Sequence, residues 1–176
     1  RELRPGRKIL FSGPQGGYVL PEPVPAGSGF LHLCAGSGVA PNRGMIRSAL
    51  ARGGTDRHLL VLQNRTEADI FYREEWPDLV LRHRGRFKIR HALSRDAQEP
   101  VTIPLLQQEM ADFLEGAAAI ALVCGPNRPR EAVLPDGSKR RQPGFCEYWG
   151  GNPRRKVGGH LEQLGLTPDR ILMETW

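Results

Sequence analysis

Cysteine is scarce in this 176-residue chain: its three copies, Cys34, Cys124 and Cys146, stand far apart with no CxxC pair. That spacing points to neither a disulfide framework nor a zinc or iron–sulfur site, so no metal is expected and a reducing, cytoplasmic setting fits best. No stretch approaches the ~18 consecutive apolar residues of a membrane span, so no membrane role is expected. Nothing near Arg1 has the basic start, apolar middle and small-residue end of a signal peptide, and a first residue other than Met suggests a truncated or processed N-terminus. Acidic residues are outnumbered, 19 against 25 Lys and Arg, which favours acidic partners. The basic residues cluster at Arg82, Arg84, Arg86, Lys88 and Arg90, and again at Lys139, Arg140, Arg141, Arg154, Arg155 and Lys156. No RNA- or DNA-binding motif accompanies them, so a solvated face is the plain reading and no nucleic acid is expected.

What is present is an alternation. From about residue 30, apolar runs of strand length alternate with segments of helical period, the pattern of a parallel sheet covered by helices on both faces. Strands are expected at 30–34, 58–63, 87–93, 119–123 and 170–173. Helices are expected at 42–51, opened by Pro41, and at 67–76, 103–114 and 159–164. Residues 128–156, rich in Gly, Pro and basic side chains, read as a long surface loop. Residues 1–25 differ: a turn at Pro5-Gly6, an apolar strand at 8–12 and no helix mark the tail of a preceding β domain, with 21–29 as linker and the α/β domain occupying 26–176.

Between the first strand and helix lies Ala35-Gly36-Ser37-Gly38-Val39-Ala40-Pro41. Glycines here let backbone amides approach a diphosphate while the helix N-terminus adds partial positive charge. Pro41 stands where the third glycine of a GxGxxG fingerprint would be, and a glycine pair alone is as compatible with a structural turn as with a ligand site.

Five segments together carry a resemblance. GSGVAP at 36–41 resembles the GTGIAP-like loop of the ferredoxin–NADP reductase family. Asn64-Arg65-Thr66 followed by Tyr72-Arg73-Glu74-Glu75 is similar to its R-T … Y-x-E-E segment. Cys124-Gly125-Pro126 is similar to its CGP motif, and Glu174-Thr175-Trp176 to its terminal Glu-x-aromatic. Gly13-Pro14-Gln15-Gly16-Gly17-Tyr18 resembles the GPxGxF segment closing the family's flavin barrel. The resemblance spans nearly the whole chain outside 128–156 and implies a Rossmann-like domain with a five-stranded parallel sheet, following the end of a flavin-binding barrel.

The resemblance further implies an oxidoreductase passing electrons between NADPH and, through FAD or FMN, a one-electron acceptor such as ferredoxin. The flavin-binding domain of the same polypeptide would be one partner, and an acidic electron-transfer protein another. Gly36, Ser37, Gly38, Val39, Ala40, Pro41, Gly125 and Pro126 would approach the nucleotide. Ser94-Arg95-Asp96 resembles the family's S-R-E segment, so Ser94 and Arg95, helped by Arg65, would hold the 2′-phosphate and favour NADP over NAD. Residues 97–102 lack the family's Lys and Tyr partners of that phosphate. Cys124 would lie beside the reacting nicotinamide carbon, Glu174 nearby to polarise or relay a proton, and Trp176 would stack on the flavin. The competing readings are a buried apolar thiol, an exposed terminal acid and a Trp pinning the last strand. Two departures stand out. The flavin-holding RxYS-like motif has no counterpart, so this chain alone should not bind flavin tightly, and the methionine that commonly follows CGP is replaced by Asn127-Arg128-Pro129-Arg130. A different class of function, a nucleotide-binding regulatory module without turnover, shares the same site.

Overall fold

A computed structural model describes residues 4–10, 12, 16–25, 27–96, 99–152, 154 and 158–175. Five parallel strands form one sheet: β1 (Ser28–Ala35), β2 (Arg57–Asn64), β3 (Phe87–Leu93), β4 (Ala118–Gly125) and β7 (Ile171–Thr175), in the order β3-β2-β1-β4-β7. The central strand β1 is buried along its whole length because helices cover both faces, which is why it reads as a continuous apolar run rather than an alternating one.

The two faces use alternate residues. Leu31, Leu33, Leu59, Val61, Ala121 and Val123 point toward α3 (Ile103–Leu114) and the segment after it, joining Leu106, Trp149 and Leu161. Phe30, Cys34, Leu60, Leu62 and Leu122 point the other way, toward α1 (Val39–Arg52) and α2 (Trp76–Arg82). A fully buried Leu contributes roughly 1.5–3 kcal/mol relative to exposure, so the central strands hold most of the driving force. Thr102 caps α3 by accepting from the Leu105 N–H at 3.3 Å, and Pro104 fits the first turn, where no backbone donor is needed.

Two sequence expectations are corrected. The helix expected at 67–76 is a 3₁₀ turn at Glu67–Asp69 followed by further turns, and α2 begins only at Trp76. Pro77 pre-sets a helical start there, while Tyr72 upstream takes φ +59°, which no α-helix tolerates. The loop expected at 128–156 contains a β-hairpin, β5 (Arg130–Val133) with β6 (Lys139–Gln142), and a short helix α4 (Phe145–Gly150). Its turn at Asp136-Gly137-Ser138 is closed by Asp136, whose carboxylate accepts from the Ser138 N–H and hydroxyl at 2.9 and 2.6 Å. The apolar segment expected as a strand at 8–12 is unpaired among the described residues, with Ile9 and Leu10 exposed, and Phe11 lies outside them. Smaller differences follow the same logic. The last helix is 3₁₀, at His160–Leu164, and the expected linker already belongs to β1 at Ser28 and Gly29.

The segment before β1 is not a free linker throughout. Leu20 is buried against Phe30, Ala49 and Leu122, with Tyr18 and Val24 packed beside it. The Tyr18 hydroxyl meets Asn42 of α1: it donates to Asn42 Oδ1 at 3.2 Å and accepts from Asn42 Nδ2 at 3.0 Å. Burial pushes the Tyr18 phenol well above its ordinary range.

The basic cluster around β3 is not a free charge surface either. Arg82 pairs with Asp78, Arg86 with Asp56 at 3.2 Å and Lys88 with Glu109 at 2.8 Å, while Arg90 lies 3.3 Å from Glu99. No helix of the described residues is long and apolar enough to cross a membrane.

Candidate functional site

Parallel strands joined by helices end on one edge, and their loops leave a crevice there where strand connections part to opposite sides. Here β1 sends its chain to α1 while its neighbour β4 lies on the other side of it. A cleft of about 560 Å³ opens at this edge. Ala35 ends β1 and Gly36 and Ser37 follow it, Gln63 and Asn64 end β2 and Arg65 follows, Ser94 follows β3, and Pro126 and Arg130 follow β4.

Gly36 has φ +53°, a left-handed conformation that disfavours any Cβ, and no heavy atom lies within 4 Å of where a Cβ would sit. Glycine is thus required by the backbone, and the space above it is open to a ligand. Gly38 and Val39 are buried and start α1, with Ala40 and Pro41 exposed in its first turn. The loop therefore presents Gly36 and Ser37 to the cleft, whereas Gly38 to Pro41 build the helix start behind them.

Of the residues expected at the 2′-phosphate, Arg65 and Ser94 line the cleft. The two strand ends are tied together: the Ser94 N–H donates to Asn64 O at 3.0 Å and the Arg95 N–H to Arg65 O at 2.9 Å. Arg95 is exposed next to them but does not line the cleft. Asp96 turns away from it and accepts from the Glu67 N–H at 2.7 Å. Asn64 is almost fully buried; its Nδ2 donates to Asp69 O at 2.6 Å, and its Oδ1 has no hydrogen-bond partner among the described residues.

Cys124 and Glu174 meet at the other end of the same edge. They are directly opposed in the β4–β7 register, and Cys34 opposes Cys124 in the β1–β4 register. All three cysteines are free and buried. Burial, followed by the Glu174 carboxylate, raises the Cys124 thiol to about 11. Burial likewise raises Cys146 to about 12, helped by Cys124, and holds Cys34 well above its ordinary value. Cys146 lies on the opposite side of β4, its Sγ 3.3 Å from Gly125 O and 3.4 Å from Glu174 O. Gly125 permits this packing: a Cβ there would sit 2.6 Å from Phe145 Cδ1 and 3.2 Å from Ala35 Cβ. Trp176 lies outside the described residues, as do Gly13, Pro14 and Gln15 of the GPxGxF-like segment.

Sequence reading missed four parts of this region. Ala68 to Phe71 form the outer wall near Arg65, with Phe71 half exposed. Tyr72, the residue with positive φ, is held under the Arg43 guanidinium at 4.4 Å from its ring centre, and Glu75 binds both Arg43 at 2.6 Å and Arg47 at 2.9 Å. Arg130 reaches the cleft from a hairpin that was expected to be loop.

The fourth part is a buried polar row beneath the glycine loop. Asp56 Oδ2 lies 2.6 Å from His58 Nε2, His58 Nδ1 lies 3.0 Å from His32 Nε2, and His32 Nδ1 faces the Asn42 side-chain amide at 2.8 Å. Asn42 Nδ2 in turn donates to Gly38 O at 3.1 Å. Such a row shows in the sequence only as polar residues within apolar runs.

A five-stranded parallel sheet with a glycine turn at its crevice defines a dinucleotide-binding α/β domain. This chain belongs to the oxidoreductase NAD-binding domain family, whose model matches residues 33–133. It is 32% identical over 137 residues to ferredoxin–NADP reductase B of Sorangium cellulosum, covering 72% of this chain and 54% of that protein. It is 30% identical over 138 residues to an NADPH oxidoreductase of Mycobacterium tuberculosis, covering 78% of this chain and 33% of that one. The chain thus spans between a third and about half of these relatives. Among solved structures, an Amycolatopsis cytochrome P450 reductase superposes with a TM-score of 0.64 at 23% identity, covering 93% of this chain and 42% of that chain. Ferredoxin-NADP+ reductase from Plasmodium falciparum superposes with a TM-score of 0.60 at 12% identity, covering 92% and 58%. These likenesses confirm the α/β fold expected from the strand and helix alternation.

Proposed function

We propose that this chain holds NADPH across the ends of β2, β1 and β4 and presents its nicotinamide at Cys124 and Glu174 to a flavin carried by a preceding barrel domain. In this reading the whole protein passes electrons between NADPH and a one-electron acceptor, in the cytoplasm, with an acidic carrier such as a ferredoxin as partner. The single observation that carries it is the row of cleft residues: the open left-handed Gly36 with Ser37 at the centre, and Arg65 with Ser94 on the β2 and β3 side.

The residues fit the nucleotide. The orphaned Asn64 Oδ1 is a buried acceptor beside the cleft and suits a sugar hydroxyl or an adenine amino group. Phe71 offers an exposed aromatic face for a purine, and Gly36 and Ser37 offer backbone amides to the diphosphate. Arg65 has no carboxylate partner among the described residues, which leaves its planar fork available for a 2′-phosphate. When bound, the nicotinamide and flavin supply the hydride and its acceptor.

The chain's own task is placement. The neutral Cys124 thiol gives the nicotinamide end a small uncharged wall, and Glu174, exposed at the sheet edge, is placed to hold or move a proton there. Calorimetric titration tests the reading. NADPH should bind more tightly than NADH, and Arg65→Ala should remove most of the difference; equal affinities in the wild-type protein would overturn the assignment of Arg65 and Ser94.

A further inference from the structure

We propose that Arg130, carried by the hairpin after β4, binds the diphosphate of the nucleotide and so complements Arg65 from the opposite side of the glycine loop. The inference rests on the reading of the cleft as a nucleotide site.

Position comes first. The sheet order β3-β2-β1-β4 places the two arginines of the cleft on either side of Gly36, since Arg65 follows β2 and Arg130 follows β4. Neighbouring strands are about 4.8 Å apart, so two strand spacings separate the ends from which the arginines come, with β1 and its glycine loop between them. Arg65 and Ser94 hold the side away from Cys124 and Glu174. The phosphate groups nearest Arg130 are then those joining the two halves of the dinucleotide, not the 2′-phosphate.

The hairpin is also built to hold Arg130 still. Its two bases are pinned together: the Phe145 N–H donates to Pro126 O at 2.8 Å, and the Glu147 N–H to Asn127 Oδ1 at 2.9 Å. A Cβ on Gly144 would sit 2.4 Å from the Asn127 backbone carbon, so the strands close tightly here. Arg141 makes a paired contact to the buried Glu147, with NH1 to Oε1 at 3.1 Å and NH2 to Oε2 at 2.6 Å. In the hairpin register Arg130 faces Gln142, so it projects from the face opposite to Arg141 and Glu131. Arg141 thus anchors one face of the hairpin to α4 while the other carries Arg130.

Glu131 pairs with Lys139 at 3.0 Å and Asp136 accepts from the Ser138 N–H and hydroxyl, so the hairpin's acids are engaged, whereas Arg130 has no carboxylate partner among the described residues. An unpaired guanidinium at a cleft lined by the open, left-handed Gly36 suits a bidentate phosphate contact.

The test titrates the wild-type chain, Arg130→Ala and Arg65→Ala with three ligands: ADP-ribose, which has the diphosphate only, adenosine 2′-monophosphate, which has the 2′-phosphate only, and NADPH, which has both. Arg130→Ala should weaken ADP-ribose and NADPH five- to tenfold and leave adenosine 2′-monophosphate within twofold. Arg65→Ala should do the reverse for the two fragments. Because Arg130 is exposed, an unchanged thermal midpoint is expected and separates lost contact from lost folding. Arg141→Ala should reproduce part of the ADP-ribose loss, and adding it to Arg130→Ala should cost nothing further, as expected of a positioning residue. Unchanged ADP-ribose affinity in Arg130→Ala, or equal losses for both fragments, overturns the assignment while leaving the nucleotide site intact. Failure of the wild-type chain to bind any of the three overturns the site and this assignment together.

Discussion

Cys124 and Glu174 are direct neighbours across β4 and β7, so the two residues expected at the nicotinamide are placed together by sheet register. The pairing has an electrostatic consequence: a carboxylate beside a buried thiol disfavours the thiolate, and both effects act in the same direction on Cys124.

Stability should therefore fall on the alkaline side. The folded chain keeps Cys124 protonated to about 11, whereas an unfolded thiol releases its proton at an ordinary value of 9.0. The stabilisation is complete below pH 9 and is lost as pH rises toward 11, at roughly 1.4 kcal/mol per pH unit for each such thiol. Urea midpoints measured from pH 8 to 10.5 should drop steeply, and Cys124→Ala should remove one thiol's share of the slope. An identical slope in the variant would mean that Cys124 ionises normally.

The buried histidine row predicts the opposite limb. Burial first, and then His58, lower His32 to about 3, and burial also lowers His58 despite the opposing bond from Asp56. His32 stays neutral in the folded chain well below the 6.5 at which an unfolded imidazole takes up its proton, and His58 is shifted in the same direction, so stability is intact above pH 6.5 and declines as pH falls toward 3. In NMR titrations the His32 ring signals should not shift between pH 5 and 8. A midpoint near 6.5 for His32 would show that the row is open to solvent.

Gly125→Ala should be costly although it adds one methyl group. The new Cβ would overlap Phe145 and crowd Ala35, forcing α4 away from the sheet edge. A loss of about 1–3 kcal/mol is expected in chemical denaturation, as for other overpacked cores. Phe145→Leu in the same chain should recover part of it.

Electrostatic steering by the second basic cluster should be weaker than its residue count suggests. Lys139 is paired with Glu131, and Arg141 is bound to Glu147, while Arg155 and Lys156 lie outside the described residues. On the proposed function, stopped-flow mixing of the whole protein with an acidic carrier should show Arg140→Ala lowering the association rate about two- to threefold at low ionic strength, and Lys139→Ala less. Both effects should vanish at high salt.

The sequence made the central sheet legible because β1, β2 and β4 are short, apolar and punctuated by glycine and helix signals. Helix α3 was legible to the residue, since Thr102, Pro104 and its apolar spacing all agree. The 67–76 region misled because Glu67 to Trp76 has helix-favouring composition, while tertiary contacts hold it in turns: Asn64 on Asp69 O, the Trp76 indole on Phe71 O, and Tyr72 and Glu75 on α1. The hairpin was hidden because β5 and β6 are short and largely exposed on both faces, with no apolar–polar alternation to read. For the site, glycine and arginine positions could be inferred from motif order. Arg130, Asn64 and the histidine row could not, because their roles depend on which strand ends and buried faces the fold brings together.

The clasp between Tyr18, Leu20 and α1 bears on how such a protein can be dissected. Composition alone would place the cut between domains at 21–29, yet severing the chain there would strip Leu20 from its pocket beside Phe30 and leave Asn42 without its phenolic neighbour. A shortened version that keeps residue 16 onward retains the clasp, and limited proteolysis of the intact chain should spare the peptide bonds around Leu20.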